Sequence, residues 1–173
     1  SEICIDDRCV PIRDAQILDV FEPDMSMPVC MSSSVRIDEL RHASGAGSDF
    51  VELLGPPGAS LDGYRLLATE SSGARRVDVV LSGVLGVDGL WLGALGEGLE
   101  VAPDAVLSDA GFAQSAGNVQ LFDCDGRLLD AVGYGDFGAE ARFRGEGSPT
   151  LAASASESLG RCVDGSDTDD NAV

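Results

Sequence analysis

Asn118-Val-Gln-Leu-Phe-Asp-Cys-Asp-Gly-Arg-Leu-Leu-Asp-Ala-Val-Gly-Tyr134 carries the plainest fold signal in the chain. Two apolar-rich runs, residues 118–123 and 127–134, flank Asp125-Gly126, a dipeptide suited to the positive φ of a tight hairpin turn. The stretch predicts an antiparallel hairpin. Shorter runs of the same kind recur upstream, each stopped by glycine or proline. Val35-Arg-Ile-Asp-Glu-Leu40 alternates, and a Ser/Gly loop separates it from Phe50-Val-Glu-Leu-Leu54, which Gly55-Pro56-Pro57-Gly58 ends. Residues 64–69 and 76–81 flank a Ser71-Ser72-Gly73 turn, Leu90-Trp91-Leu92 stands between glycines, and residues 158–162 offer a last strand. No window sustains a helical period, and only residues 103–109 invite a helical turn. The pattern predicts an all-β sandwich of about seven or eight strands.

The 173 residues suit one domain with an appendage. Thirty acids oppose eleven basic residues, all of them arginine, for a net charge of −19. That balance excludes a basic nucleic-acid surface, because affinity for phosphates comes from neutralising them. It also disfavours docking on anionic lipid. Hydrophobic residues make up 44 %, enough to fill a core. No apolar run nears the roughly 18 residues of a membrane-spanning helix, and no secretory leader pattern is present. The close at Asn171-Ala172-Val173 reads as a piece of a longer protein.

Cysteines stand at 4, 9, 30, 124 and 162. Their spacing fits no zinc ribbon or finger. They read as parts of a disulfide-bearing, extracytoplasmic protein, with buried thiols as the alternative. The pairing expected within the sandwich is Cys124 with Cys162, and Cys9 with Cys30 would tie the arm. Residues 1–34 differ from the rest: three of the five cysteines and three of the seven prolines lie there. They read as an irregular arm or linker that lends at most a strand at residues 17–21, while residues 35–173 form the domain.

Motifs for catalysis are absent: no nucleophile elbow, phosphate loop, dinucleotide fingerprint or His-Glu-x-x-His. His42, the one histidine, lies in the Ser/Gly loop without an evident partner and reads as a surface residue. Two acids break the expected alternation. In residues 35–40, Val35, Ile37 and Glu39 share a face; in residues 50–54, Phe50, Glu52 and Leu54 do. Pairing these strands would place the carboxylates of Glu39 and Glu52 on the apolar side, as a catalytic or metal-binding pair would stand. The structural alternative is that each accepts hydrogen bonds near a strand end. Asp164-Gly-Ser-Asp-Thr-Asp-Asp-Asn171 is the densest acidic cluster. Asp164, Asp167, Asp169, Asp170 and Asn171 offer the hard oxygens Ca²⁺ takes, although the order is not that of an EF-hand, and an Asx-capped turn would use the same residues.

Residues 35–40, then Ser48-Asp-Phe-Val-Glu-Leu53, then Leu61-Asp-Gly-Tyr-Arg-Leu66 resemble the opening of the lamin-tail domain family. Residues 119–135 resemble its late hairpin, and residues 158–171 are similar to the closing segment of its bacterial members. The resemblance covers residues 35–173. It implies an immunoglobulin-like β-sandwich, a non-catalytic accessory module of secreted or cell-surface proteins, and a structural role for Glu39 and Glu52. Asp38 and Gly55 depart from the asparagines usual in the family. The acidic charge counts against the DNA partners of nuclear relatives. The expectation is therefore a binding or scaffolding module that attaches to a protein or a surface, needs no cofactor, binds no nucleic acid and carries no membrane span in this stretch. A calcium-dependent adhesion module and a hydrolase using Glu39 and Glu52 are the alternatives.

Overall fold

A computed structural model describes residues 34–42, 49–96, 98–107, 111–139, 141–154, 156–161 and 168–172 in full. Residues 2–5 and 8–11 are described as backbone strands. The fold is all-β, with no helix among the described residues. Strands β1 (Glu2–Ile5) and β2 (Arg8–Pro11) pair antiparallel with Cys4 opposite Cys9. This part of the arm is thus a regular hairpin, not the irregular segment expected. The expected strand at residues 17–21 lies outside the described residues.

Among the described residues the sandwich is built from nine further strands. β3 (Arg36–Arg41), β4 (Asp49–Leu54), β7 (Leu90–Leu95), β8 (Ala105–Val106) and β11 (Leu159–Gly160) form a five-stranded sheet in the order β11-β3-β4-β7-β8. β5 (Arg65–Glu70), β6 (Arg75–Val80), β9 (Ala116–Phe122) and β10 (Leu128–Gly135) form a four-stranded sheet in the order β10-β9-β5-β6. Every pairing is antiparallel except β7 with β8. The helical turn expected at residues 103–109 is instead the short strand β8, whose Ala105 and Val106 stand opposite Gly93 and Ala94.

The hairpin that decides the fold forms as its sequence predicts. Gly126 takes a φ of 79°, and Asp123 fixes the turn by accepting the amides of Asp125 and Arg127 at 2.9 and 2.8 Å. Between the sheets lies one core. Ile37, Leu40, Val51, Leu53 and Trp91 meet Leu66, Val77, Val119, Leu121 and Tyr134 across it. Burying each such side chain contributes about 1.5–3 kcal/mol.

Three β-bulges interrupt this regularity, and the one in β3 matters most. The β3–β4 register steps from Ile37↔Leu53 to Glu39↔Glu52, leaving Asp38 as the extra residue. Val35 and Ile37 face the core before the bulge, and Leu40 and His42 face it afterwards. The shared face expected for Val35, Ile37 and Glu39 is therefore broken: the extra residue turns Glu39 outward. In β4 the core face is Asp49, Val51 and Leu53, so Phe50, Glu52 and Leu54 point away from it.

Candidate functional site

Glu39 and Glu52 do stand side by side, directly opposite in the β3–β4 ladder, but on the outer face of the five-stranded sheet. This corrects the expectation that they accompany the apolar side. Glu39 accepts a hydrogen bond from the Ser158 hydroxyl, just before β11. Partial burial pushes the Glu52 carboxyl above its usual range, and the neighbouring charges of Glu39, Asp38 and Asp88 push it the same way. Two residues along, Arg41 lies over the Phe50 ring at 5.2 Å. The result is a half-buried outer face where apolar, cationic and anionic groups mix.

The described part of the acidic tail performs a different task. Asn171 Oδ1 accepts the amides of Gly133 and Glu146 at 2.8 and 2.9 Å, and its Nδ2 donates to the Ala131 carbonyl at 3.0 Å. Asp170 accepts the amides of Ser148 and Ala172 at 2.8 and 3.1 Å, and these bonds hold its carboxyl below the ordinary range. Asp169 occupies the left-handed region with φ 51°, which aspartate tolerates in a turn. Asp164, Asp167 and Cys162 lie outside the described residues. Among those described, no group of three acids, histidines or cysteines is arranged to hold a metal ion. Cys124, beside the hairpin turn, is disulfide-bonded, and its partner is not among the described side chains.

His42 overturns its expected place on the surface. It is fully buried, and its ring stacks on Tyr134 of the opposite sheet, with centroids 3.9 Å apart and planes 17° from parallel. Nε2 accepts the Ala153 amide at 3.0 Å, which fixes the proton of the neutral ring on Nδ1. Nδ1 has no hydrogen-bond partner. Burial lowers the His42 pKa, and the backbone at Gln114 and Ala113 opposes this. The Tyr134 hydroxyl donates to the Ala113 carbonyl at 2.7 Å, and burial, then the charge of Asp49, raises its pKa strongly. Asp49 is itself buried. Its Oδ2 accepts the Phe112 amide at 2.7 Å while Oδ1 has no partner. Burial raises the Asp49 pKa against the pull of the Phe112 amide, Arg41 and Arg76.

Beside this cluster opens a cleft of about 350 Å³ lined by Glu70, Ser71, Arg76, Gln114 and Ser115 among others. Arg76 pairs with Glu70 at 3.3 Å and donates to the Gly111 carbonyl at 3.2 Å, tying β6 to the loop that carries Phe112 and Ala113. The cleft holds hydroxyl, amide and paired charges, but His42 and Asp49 are not in its lining.

A second buried charge was not anticipated from the sequence. Asp130 is fully buried on β10 and accepts the Ile37 amide of β3 at 2.7 Å. Arg161, just past β11, grips both Asp130 oxygens through Nη2 at 2.8 and 2.7 Å and donates from Nε to the Ile37 carbonyl at 2.8 Å. The Arg161 amide donates to the Asp38 carbonyl at 2.9 Å. The polar groups that the bulge frees are thus answered by a carboxylate from the other sheet and by an arginine.

No known protein-family profile matches the chain. Nor does any curated protein.

Proposed function

We propose that this chain is a non-catalytic binding or scaffolding module of a larger secreted or cell-surface protein. One observation carries the reading. The acid pair with an enzyme-like sequence pattern, Glu39 and Glu52, stands half-buried on the outer face of the five-stranded sheet, away from the core, with Glu39 tied to Ser158. Catalysis by paired carboxylates works where water is excluded and the groups flank a bound substrate. A half-buried outer sheet face with a cation–aromatic contact beside two acids suits attachment to a protein or a surface instead.

Several polar side chains support the same reading, since buried Asp130, Asp123 and Asn118 and half-buried Asn171 all hold backbone in place. An immunoglobulin-like arrangement of the lamin-tail kind accommodates them. Its expected segments coincide with β3, β4, the approach to β5, and the β9–β10 hairpin. The disulfide at Cys124 favours an extracytoplasmic setting, and Cys162 is the partner we assign to it.

The test compares the wild-type chain with the Glu39→Gln/Glu52→Gln double variant on chromogenic esters, glycosides and phosphomonoesters. Neither protein should turn any of them over. Turnover by the wild type that vanishes in the double variant would establish the hydrolase instead.

A further inference from the structure

We infer that Cys4 and Cys9 close a cross-strand disulfide that staples the β1–β2 hairpin. The two strands pair antiparallel, with Ile5↔Arg8, Cys4↔Cys9, Ile3↔Val10 and Glu2↔Pro11 in register. No third strand joins them among the described residues, so the hairpin is a sheet of two strands. Such a sheet is marginally stable by itself in water, and a covalent link across it supplies what packing does not.

Two features of the ladder fix the phase of its hydrogen bonds. Ile5 and Arg8 stand opposite each other with only Asp6 and Asp7 between them in the chain. That is the spacing of a two-residue hairpin loop, whose closing pair exchanges backbone hydrogen bonds. By alternation Cys4↔Cys9 is then a non-hydrogen-bonded pair, Ile3↔Val10 a hydrogen-bonded one, and Glu2↔Pro11 non-hydrogen-bonded again. Pro11 leads to the same phase from the other end. Proline has no N–H, so it fits the ladder only where no amide is needed, and the alternation puts it there.

Non-hydrogen-bonded partners bring their Cα atoms to about 4.5 Å and lie on one face of the ladder. A disulfide takes Cα separations of roughly 4.4–6.8 Å, so this backbone accepts one without rearrangement. Among the five cysteines, Cys124 is already bonded, and Cys162 is the partner assigned to it. The register then selects Cys4 with Cys9 over the Cys9–Cys30 pairing expected from the sequence. Closure is an oxidation. Each thiol gives up its proton, the two sulfurs release two electrons and form one S–S bond, and a disulfide oxidant such as oxidised glutathione leaves as two thiols.

The experiment exploits Arg8, which lies between the two cysteines. The chain is equilibrated in an oxidising glutathione buffer, quenched with iodoacetamide, digested with trypsin without reduction and weighed by mass spectrometry. Residues 1–8 and 9–13 should appear as one linked species that dithiothreitol separates. The variant Cys9→Ser/Val10→Cys keeps two thiols in the arm strands but sets them on opposite faces of the ladder. Its closure in the same buffer should be at least about tenfold less favourable. Recovery of both Cys4 and Cys9 in alkylated form overturns the proposal. So does either of them linked to residues 14–36, 77–127 or 162–173, which carry Cys30, Cys124 and Cys162. A shifted variant that closes as readily as the wild type overturns it too, because closeness along the chain would then suffice without the hairpin.

Discussion

His42 continues the inward alternation that Leu40 resumes after the bulge, and so it enters the core despite the Ser/Gly loop that follows it. A buried imidazole that accepts an amide proton on Nε2 resists protonation, because the cation would have to turn a donor toward another donor. Its folded pKa lies below 6.5, while the unfolded chain titrates near 6.5. Between those values only the unfolded chain binds the proton, so stability falls as pH drops below 6.5. Asp49 and Glu52, with raised folded pKa values, act in the opposite direction at lower pH. Urea titrations at pH 7.5 and 5.5 isolate the histidine. The wild-type midpoint should lose more on acidification than that of His42→Gln, and equal losses would show that His42 does not couple to stability. Read from the sequence, the strand ends at Leu40 and His42 lies on the surface, so its inward turn was not legible. Nor was the bulge that shifts the strand's phase: Arg36-Ile-Asp-Glu39 contains no glycine, and the groups that stabilise the extra residue lie at positions 130 and 161.

At the scale of elements, the longer strands of the sandwich announced themselves, while β1, β2 and β8 did not. Residues 118–134 state both strands and the turn of a hairpin, and Trp91 between glycines marks β7. The sheet edges were harder to read, because what covers an edge comes from a distant segment. The acidic tail offered oxygens in a cation-like spacing, and in the folded chain Asp170 and Asn171 direct those oxygens at amides. Asn171 thereby finishes the β10 edge. Replacing it by alanine removes three side-chain hydrogen bonds and leaves the Gly133 amide without its acceptor, which should cost about 2–4 kcal/mol. Thermal melts measure the loss. Adding EGTA should change neither the wild type nor Asn171→Ala; a transition that EGTA lowers in the wild type would restore calcium to this tail.

For the whole molecule, composition set the class and long-range pairing set the details. The apolar share was enough to fill a core, the spacing of strand runs and turns predicted the sandwich, and −19 describes loops and tail more than core. What no local pattern could reveal is how the sheets are joined at β3 and β10. Asp130 meets Ile37 across 93 residues, and Arg161 meets Ile37 across 124. Contacts this distant carry a large loop-closure entropy, and both sheets must be in place before the three groups can meet. We predict that the clasp closes late, after the rate-limiting step of folding. Asp130→Asn should leave the refolding rate within about threefold of the wild type while raising the unfolding rate about a hundredfold, as stopped-flow measurements in urea would record. A buried ion pair of this kind does little to bring the native state into being; it governs how long that state lasts once formed.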